Sequence, residues 1–145
     1  MTKIITGLIV LIVVAALGVW LYLVPAGDDP SVGVELRKFS SENVRVDLPR
    51  INEKVENKFA VTGEIRGNWM FEASFPIQIL DPSGNKVAQG FAMTSANWMT
   101  TEFVPFTGEI TIADYSGPAI LVLMKDNPSG LPENDDSVSF SIVIK

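Results

Sequence analysis

The side chains in this chain that could carry out chemistry are carboxylates and aromatic rings, because the sequence contains no cysteine and no histidine. Without cysteine there is no thiol nucleophile and no thiolate metal ligand. Without histidine there is no serine triad of the usual form and no imidazole-bound zinc. Chemistry that needs neither residue remains open. The main example is glycoside hydrolysis, which uses two carboxylates about 5 to 10 Å apart.

Glu72 is the most unusual carboxylate, because it lies within the largely apolar run 69–75. Burial of an unpaired carboxylate is costly. Glu72 is therefore expected either to point outward or, as the favoured interpretation, to accept hydrogen bonds from the backbone of a neighbouring loop. Pairing of Glu72 with Asp81 or Glu102 would instead give a hydrolase, although no spacing in the sequence brings two of these groups together.

Two tryptophans lie in the same tripeptide, Asn-Trp-Met, which occurs at 68–70 and again at 97–99. The flanking residues differ, so coincidence explains the similarity better than an internal repeat. An exposed tryptophan could stack on a sugar or hold a protein partner, whereas packing in the core explains each ring equally well. Trp69, Trp98 and the intervening Phe71 are candidate interaction residues.

A segment rich in oxygen-bearing side chains follows at 126–136. Its carboxylates and amides would suit Ca²⁺, which takes about six to eight oxygen ligands. The spacing matches no EF-hand, and the interleaved prolines and glycine are typical of turns. We therefore predict a solvated loop shaped by Asn127 and Gly130, with Ser129 as a further candidate residue and with no metal or cofactor.

The element expected to place these residues is the segment 4–24, which contains no charged side chain. At about 1.5 Å per helical residue it covers the roughly 30 Å hydrocarbon core of a bilayer. Lys3 precedes the segment, and two aspartates follow it at 28 and 29, which favours a cytoplasmic N-terminus. This predicts a single-pass transmembrane anchor over residues 1–25, with the remaining chain outside the cytoplasmic membrane.

A cleaved signal peptide is the alternative to a retained anchor, because residues 24–26 loosely resemble a cleavage site. The apolar run is longer than the roughly 7 to 15 residues of a secretory signal, and Pro25 precedes the possible cut. Trp20 and Tyr22 also suit the outer membrane interface. The retained anchor is the favoured interpretation.

Residues 26–42 contain glycine, proline, serine and mixed charges, which predicts an extended extracytoplasmic stalk. The alternative is that 32–39 joins the following domain as an edge strand. The remaining residues, 43–145, suffice for one domain of common size. Because there is no cysteine, that domain must be stable through its core alone.

From residue 43 onward, apolar residues recur at every second position, as is typical of strands with one buried face. Strands are predicted at 44–48, 59–66, 75–80, 86–93, 101–106, 109–113, 118–124 and 138–144. The segment Asp81-Pro82-Ser83-Gly84-Asn85 is a strong hairpin signal, and Pro105 indicates an edge. About seven to eight strands without an amphipathic helix predict an all-β, immunoglobulin-like antiparallel sandwich, with a barrel as the alternative.

Several residues together resemble a known family: Pro49, Gly63, the segment 67–75, Asp81 with Gly84, and the Asn-Pro-Ser-Gly segment 127–130. Their order and spacing resemble the immunoglobulin-like domain of bacterial spore-germination and sporulation proteins, over about 43–145. The resemblance implies a small extracytoplasmic β-sandwich, often combined with other surface modules. It does not imply a spore-forming organism. The domain stands here behind a predicted anchor without a companion module, which argues against a germination role.

The favoured function is therefore a noncatalytic, membrane-tethered interaction module that binds a protein or a cell-envelope polymer through a sheet face or the loops at one end. A small carboxylate-based carbohydrate-processing hydrolase is the alternative. A structural subunit that pairs through edge strands is a weaker option. The net charge of −6 and the lack of a basic cluster argue against nucleic acid as a partner.

Overall fold

The computed structural model describes residues 36–145, which form nine strands and two short 3-10 helices. The strands are β1 (Phe39–Ser40), β2 (Val44–Leu48), β3 (Lys54–Val55), β4 (Lys58–Arg66), β5 (Ser74–Leu80), β6 (Lys86–Met93), β7 (Phe103–Thr111), β8 (Gly117–Met124) and β9 (Ser137–Ile144). The 3-10 helices are Gly67–Trp69 and Pro132–Asn134. Within 36–145 no helix has the length and apolar character needed to cross a bilayer. The predicted anchor at 1–25 lies outside the described residues.

The strands pair in the order β1-β2-β4-β7-β6-β5-β8-β9-β3. All pairs are antiparallel except β3 with β9. The series folds back on itself between β7 and β6, which share only two residue pairs. As a result Phe39 of β1 stacks on Phe140 of β9, with ring centroids 4.9 Å apart, although these strands are far apart in the pairing order. Strands β1, β2, β4 and β7 form layer A, and β6, β5, β8, β9 and β3 form layer B.

The alternating apolar residues of both layers meet in one core. Phe75 of layer B, which is fully buried, packs edge-to-face on Phe106 of layer A at 5.0 Å between ring centroids. No buried residue among those described is polar or charged. The all-β, immunoglobulin-like fold thus rests on apolar packing between the two layers.

Two details differ from the predicted strands, and the position of Pro105 agrees with the prediction. The segments 101–106 and 109–113 belong to one continuous strand, β7, because Thr107 and Gly108 keep their pairing with β4 and also meet the end of β6. Pro105 lies where β7 pairs with β4 alone, in keeping with an edge position. The strands β1 and β3, of two residues each, have no counterpart among the predicted strands.

The last part of the predicted stalk is ordered in the sheet. Phe39 and Ser40 pair with Val46 and Arg45 of β2, so strand structure begins inside the segment 26–42. The alternative of an added edge strand is closer to this arrangement, although the strand is limited to two residues. This short strand is ordered because the ring of Phe39 stacks on Phe140 and is thereby removed from solvent.

The connections between strands gather at two poles. Those from β1 to β2, β4 to β5, β6 to β7 and β8 to β9 lie at one pole, which we call the loop pole. The opposite pole holds 49–57, 81–85 and 112–116. Arg37, near the first described residue, also lies at this opposite pole, where its backbone oxygen accepts a hydrogen bond from the Ile51 N–H at 2.9 Å.

The outward surfaces of the two layers differ in charge. The outward surface of layer A carries ion pairs, such as Lys58 Nζ with Glu109 Oε1 at 2.9 Å and Arg45 Nη1 with Glu64 Oε2 at 3.4 Å. The central outward residues of layer B, which we call the uncharged face, carry no ionisable group. They are Gln89, Phe91 and Met93 of β6, Pro76, Gln78 and Leu80 of β5, Ile120, Val122 and Met124 of β8, and Ser139, Ser141 and Val143 of β9.

The hairpin between β5 and β6 has the predicted form. The Asp81 carboxylate accepts hydrogen bonds from the backbone N–H groups of Ser83 and Asn85, each at 2.8 Å, and from Asn85 Nδ2 at 2.9 Å. Gly84 takes the expected positive φ of 85°. The hydrogen bonds from the side chain and then the backbone of Asn85 hold the pKa of Asp81 below its ordinary value of 3.8.

Asp81→Asn is expected to lower the urea midpoint of the full chain at neutral pH. Because the folded-state pKa lies below the unfolded value, the carboxylate stabilises the fold above pH 3.8 and loses this effect as the pH falls through the folded-state pKa. Urea unfolding from pH 7 to pH 2 should therefore show the gap between wild type and variant closing in acid. Asp114→Asn, at an exposed residue of the same pole, is the control. A gap that is constant with pH would contradict the prediction.

Candidate functional site

The segment between β4 and β5 organises the loop pole. After the 3-10 helix, the Met70 N–H donates to the Gly67 oxygen at 3.0 Å. Phe71 and Ser74 then exchange two backbone hydrogen bonds of 3.1 Å across Glu72 and Ala73, whose φ values are 49° and 61°. Positive φ at both central residues is the pattern of a type I′ turn, which returns the chain directly into β5.

The connection between β6 and β7 lies against this segment at Gly67. The Gly67 N–H donates to the Glu102 oxygen at 3.0 Å. A Cβ at this position would lie 2.2 Å from the backbone oxygen of Trp98 and 2.4 Å from that of Thr100. Only glycine permits this approach, so Gly67 fixes where Trp98 is presented.

The connection between β8 and β9 joins the other side of the same segment. The Asp126 N–H donates to the backbone oxygen of Trp69 at 2.9 Å. Trp69 is only 3% exposed and Met70 only 4%. Trp69 is therefore a core residue that holds the adjacent loop through its backbone, and its ring is not available to a ligand in this arrangement.

Polar side chains within 125–136 shape that loop from inside. Asn127 Nδ2 donates to the Leu131 oxygen at 2.8 Å and to Asp135 Oδ1 at 2.7 Å. Ser129 Oγ accepts hydrogen bonds from Asn134 Nδ2 at 3.0 Å and from the Leu131 N–H at 3.3 Å. Gly130 has a φ of 65°. These contacts give Asn127, Ser129 and Gly130 a structural role in the loop. Among residues 36–145, no group of three or more acidic side chains is placed to hold a metal.

The aromatic residues that reach the surface at this pole are Phe71 and Trp98. Their rings meet edge-to-face, with centroids 6.3 Å apart and an interplanar angle of 68°. Phe71 is 41% exposed, Trp98 is half-buried, and the neighbouring Met99 is 75% exposed. The second Asn-Trp-Met segment therefore lies at the surface, whereas Trp69 and Met70 of the first one pack in the core.

A shallow groove of about 290 Å³ runs beside Phe71, between the β4–β5 and β8–β9 connections. It is lined by Asn68, Met70, Phe71, Lys125, Asp126, Asn127, Pro128, Ser129 and Asn134. We call the groove, together with Phe71, Trp98 and Met99, the loop platform. Amide groups, one cation and one carboxylate border an aromatic ring here, which suits a ligand with both apolar and hydrogen-bonding surface.

The candidate carboxylates do not form a hydrolytic pair. Glu72 is exposed, in keeping with the outward orientation, and no side-chain hydrogen bond within residues 36–145 supports the favoured loop-pinning interpretation. The reason is the turn, which places Glu72 at its exposed tip. Asp81 lies at the opposite pole beyond the seven residues of β5, or roughly 23 Å along the strand. Glu102 is exposed, and Asp126 is the only carboxylate that lines the groove.

Sequence reasoning did not find two features of this site. The contact of Phe71 with Trp98 joins residues that are 27 positions apart in the chain, and no local sequence pattern predicts it. The close approach at Gly67 is equally nonlocal. A glycine directly after a strand was the only available signal, and that signal is shared by many ordinary turns.

Two packed β-layers with strand connections gathered at one pole define an immunoglobulin-like domain, a class in which such loops commonly form the binding surface. A family model described as the immunoglobulin-like domain of bacterial spore germination matches residues 43–130, which is more than half of the chain. The chain belongs to this family. The matched range includes every candidate residue that the sequence indicated at the loop pole, whereas Asn134 of the groove lies outside it. No curated protein and no solved structure matches the chain.

Proposed function

We propose that this protein is a noncatalytic interaction module, tethered to the cytoplasmic membrane through residues 1–25, which binds a protein or a cell-envelope polymer outside that membrane. The observation that carries the proposal is the edge-to-face pair of Phe71 and Trp98 beside the groove of the loop pole. Exposed aromatic residues that are already held in place lose little conformational freedom on binding, and they often dominate interface energies.

The position of the chain entry supports recognition at the loop platform. The tether would join the domain near Arg37, at the pole opposite to Phe71 and Trp98. The connection to the preceding residues is therefore made at the pole opposite to the groove. The apolar segment 4–24 and its flanking charges are the support for membrane tethering.

The composition of the groove supports binding rather than hydrolysis. Glycoside hydrolysis with two carboxylates needs a second acid within about 10 Å on the other side of the bond to be cleaved. Among residues 36–145, Asp126 is the single carboxylate that lines the groove and Lys125 is the single cation. Amide groups of Asn68 and Asn134 offer both donors and acceptors, as hydroxyl-rich polymers and peptide backbones require.

Trp98→Ala is expected to remove the specific partner from crosslinked complexes isolated from intact membranes. The loss of an aromatic hot spot costs about 2 kcal/mol or more, which corresponds to roughly 30-fold in affinity. Tyr115→Ala is the matched control, because Tyr115 is a half-buried aromatic residue at the opposite pole. Crosslinking followed by pull-down should show the partner with wild type and with the control only.

Two further readouts decide the proposal. Folding of the Trp98→Ala variant is checked by the change in tryptophan fluorescence on urea unfolding, to which buried Trp69 contributes, so that loss of the partner is not confused with loss of structure. The wild-type chain should also sediment with membranes after a high-salt wash. An unchanged partner for both Trp98→Ala and Phe71→Ala would refute recognition at the loop platform, and a chain that stays in the supernatant would refute the tether.

A further inference from the structure

The uncharged face is the most unusual surface of the domain. Phe91 is 59% exposed and Met93 is 58% exposed, on adjacent outward positions of β6. Side chains of β5 and β8 extend this apolar surface across the sheet, and serines of β9 complete it. On the opposite layer, by contrast, even the outward ring of Phe103 is covered, because the guanidinium groups of Arg45 and Arg66 lie 3.9 and 4.3 Å from its centre.

We infer that the uncharged face pairs with the same face of a second copy of this chain. This contact is separate from the loop platform, and it does not depend on the proposed tether. Two identical faces meet in an isologous contact, in which each residue near the axis meets its own counterpart or a close neighbour. A charged surface could not pair in this way without like-charge repulsion, whereas a face without ionisable groups avoids that cost.

Charges at the two borders of the face favour a second copy in reversed orientation. At the pole opposite to the loops, Lys54, Lys86 and Asp81 border the face, with a formal net charge of +1. At the loop pole the border is formed by Glu72, Lys125 and Asp136, with a formal net charge of −1. The two copies would be related by a two-fold axis that lies in the plane of contact, perpendicular to the strands. This axis places the net positive border of each copy over the net negative border of the other. Opposite charges at the rim of an apolar contact favour association and fix its orientation.

The size of the face indicates a dimer that dissociates. Four strands about 4.8 Å apart, with about seven residues at 3.3 Å each, give a footprint of roughly 440 Å² per copy. Two such faces lie below the roughly 1,200–2,000 Å² buried in stable complexes, so the expected contact is reversible. Serine side chains, as on Ser139 and Ser141, let the second sheet approach closely.

Phe91→Glu tests the inference, because it places a carboxylate without a partner in the centre of the contact. Sedimentation equilibrium of the full chain in density-matched detergent should show a monomer–dimer equilibrium, with the dissociation constant raised at least about tenfold by Phe91→Glu. Thr62→Glu adds the same charge at the centre of the outward surface of layer A, on β4 and away from β6, and should leave the equilibrium unchanged. A wild-type monomer at all concentrations, or equal effects of both substitutions, would overturn the inference.

A second measurement uses the absence of cysteine, which allows each variant to carry a single thiol. Gln78→Cys lies at the centre of the uncharged face, and Thr62→Cys at the centre of the outward surface of layer A. A short bis-maleimide reagent on membranes should give chain dimers with Gln78→Cys only. Equal dimer yields for both variants would overturn pairing with a second copy. The same conclusion would follow if Gln78→Cys were crosslinked to other proteins and gave no chain dimer. Either failure leaves the Trp98→Ala result unaffected, so the two proposals can fail separately.

Discussion

Gly67→Ala is expected to destabilise the folded domain by about 3 kcal/mol and to abolish binding at the loop platform. The added Cβ would lie 2.2 Å from the Trp98 oxygen and 2.4 Å from the Thr100 oxygen, both of which are backbone atoms that cannot rotate away. The β6–β7 connection must move as a unit. This movement would lengthen the 3.0 Å hydrogen bond from the Gly67 N–H to Glu102 and displace Trp98 from Phe71.

Urea unfolding of the full chain, followed by tryptophan fluorescence, measures the first effect, and partner capture measures the second. Asn68→Ala is the matched control for stability, because Asn68 is the exposed next residue. Its effect on the free energy of unfolding should stay within about 0.5 kcal/mol. If Gly67→Ala unfolded at the wild-type midpoint and kept the partner, the loop pole would have to be more adaptable than these distances allow.

The strands with a long alternating pattern were the part of the fold that the sequence could reveal. In β4, β5 and β9, every second residue is apolar, and the same residues are buried in the structure, except Phe59 and Val138, which are half-buried. The hairpin at Asp81 was also predictable, because its turn is made by residues that are near one another in the chain. Periodicity of this kind is a direct result of one face packing and the other facing water.

The details of the fold that the sequence did not predict depend on contacts between residues that are far apart in the chain. A strand of two residues, such as β1, has no period to detect, and it exists because Phe39 packs on Phe140. The predicted strands 101–106 and 109–113 left residues 107–108 unassigned, yet Gly108 pairs with both Val61 and Ala92 inside β7. In β8 the residues of both faces are apolar, so the sequence pattern could not show which face is directed outward.

The candidate site was predicted as a set of residues and not as an arrangement. The segment 67–75 and the segment 127–130 were selected from the sequence, and both are at the loop pole. Glu72 occupies the tip of a turn, whereas Trp69 packs in the core, which is one of the two alternatives that the sequence left open. Which of two tryptophans reaches the surface depends on tertiary packing, and a tripeptide shared by both contains no information on that choice.

Phe75→Ala is expected to lower the free energy of unfolding by about 3–5 kcal/mol. Phe75 is 0% exposed and lies between the layers, 5.0 Å from the Phe106 ring, so truncation leaves a cavity that two paired sheets cannot close. No disulfide is available to offset the loss. A domain of ordinary stability, about 5–15 kcal/mol, would keep only part of its stability or unfold.

Phe91→Ala separates this packing effect from the general loss of a phenyl ring. Phe91 lies on the neighbouring strand but is 59% exposed, so its replacement should cost within about 0.5 kcal/mol. Both variants should be unfolded in urea at low protein concentration, where self-association contributes little to the midpoint. Equal losses from the two substitutions would mean that the apolar contact between layers does not carry the stability of this domain. A large loss from Phe75→Ala alone would place that stability in the core between the two sheets.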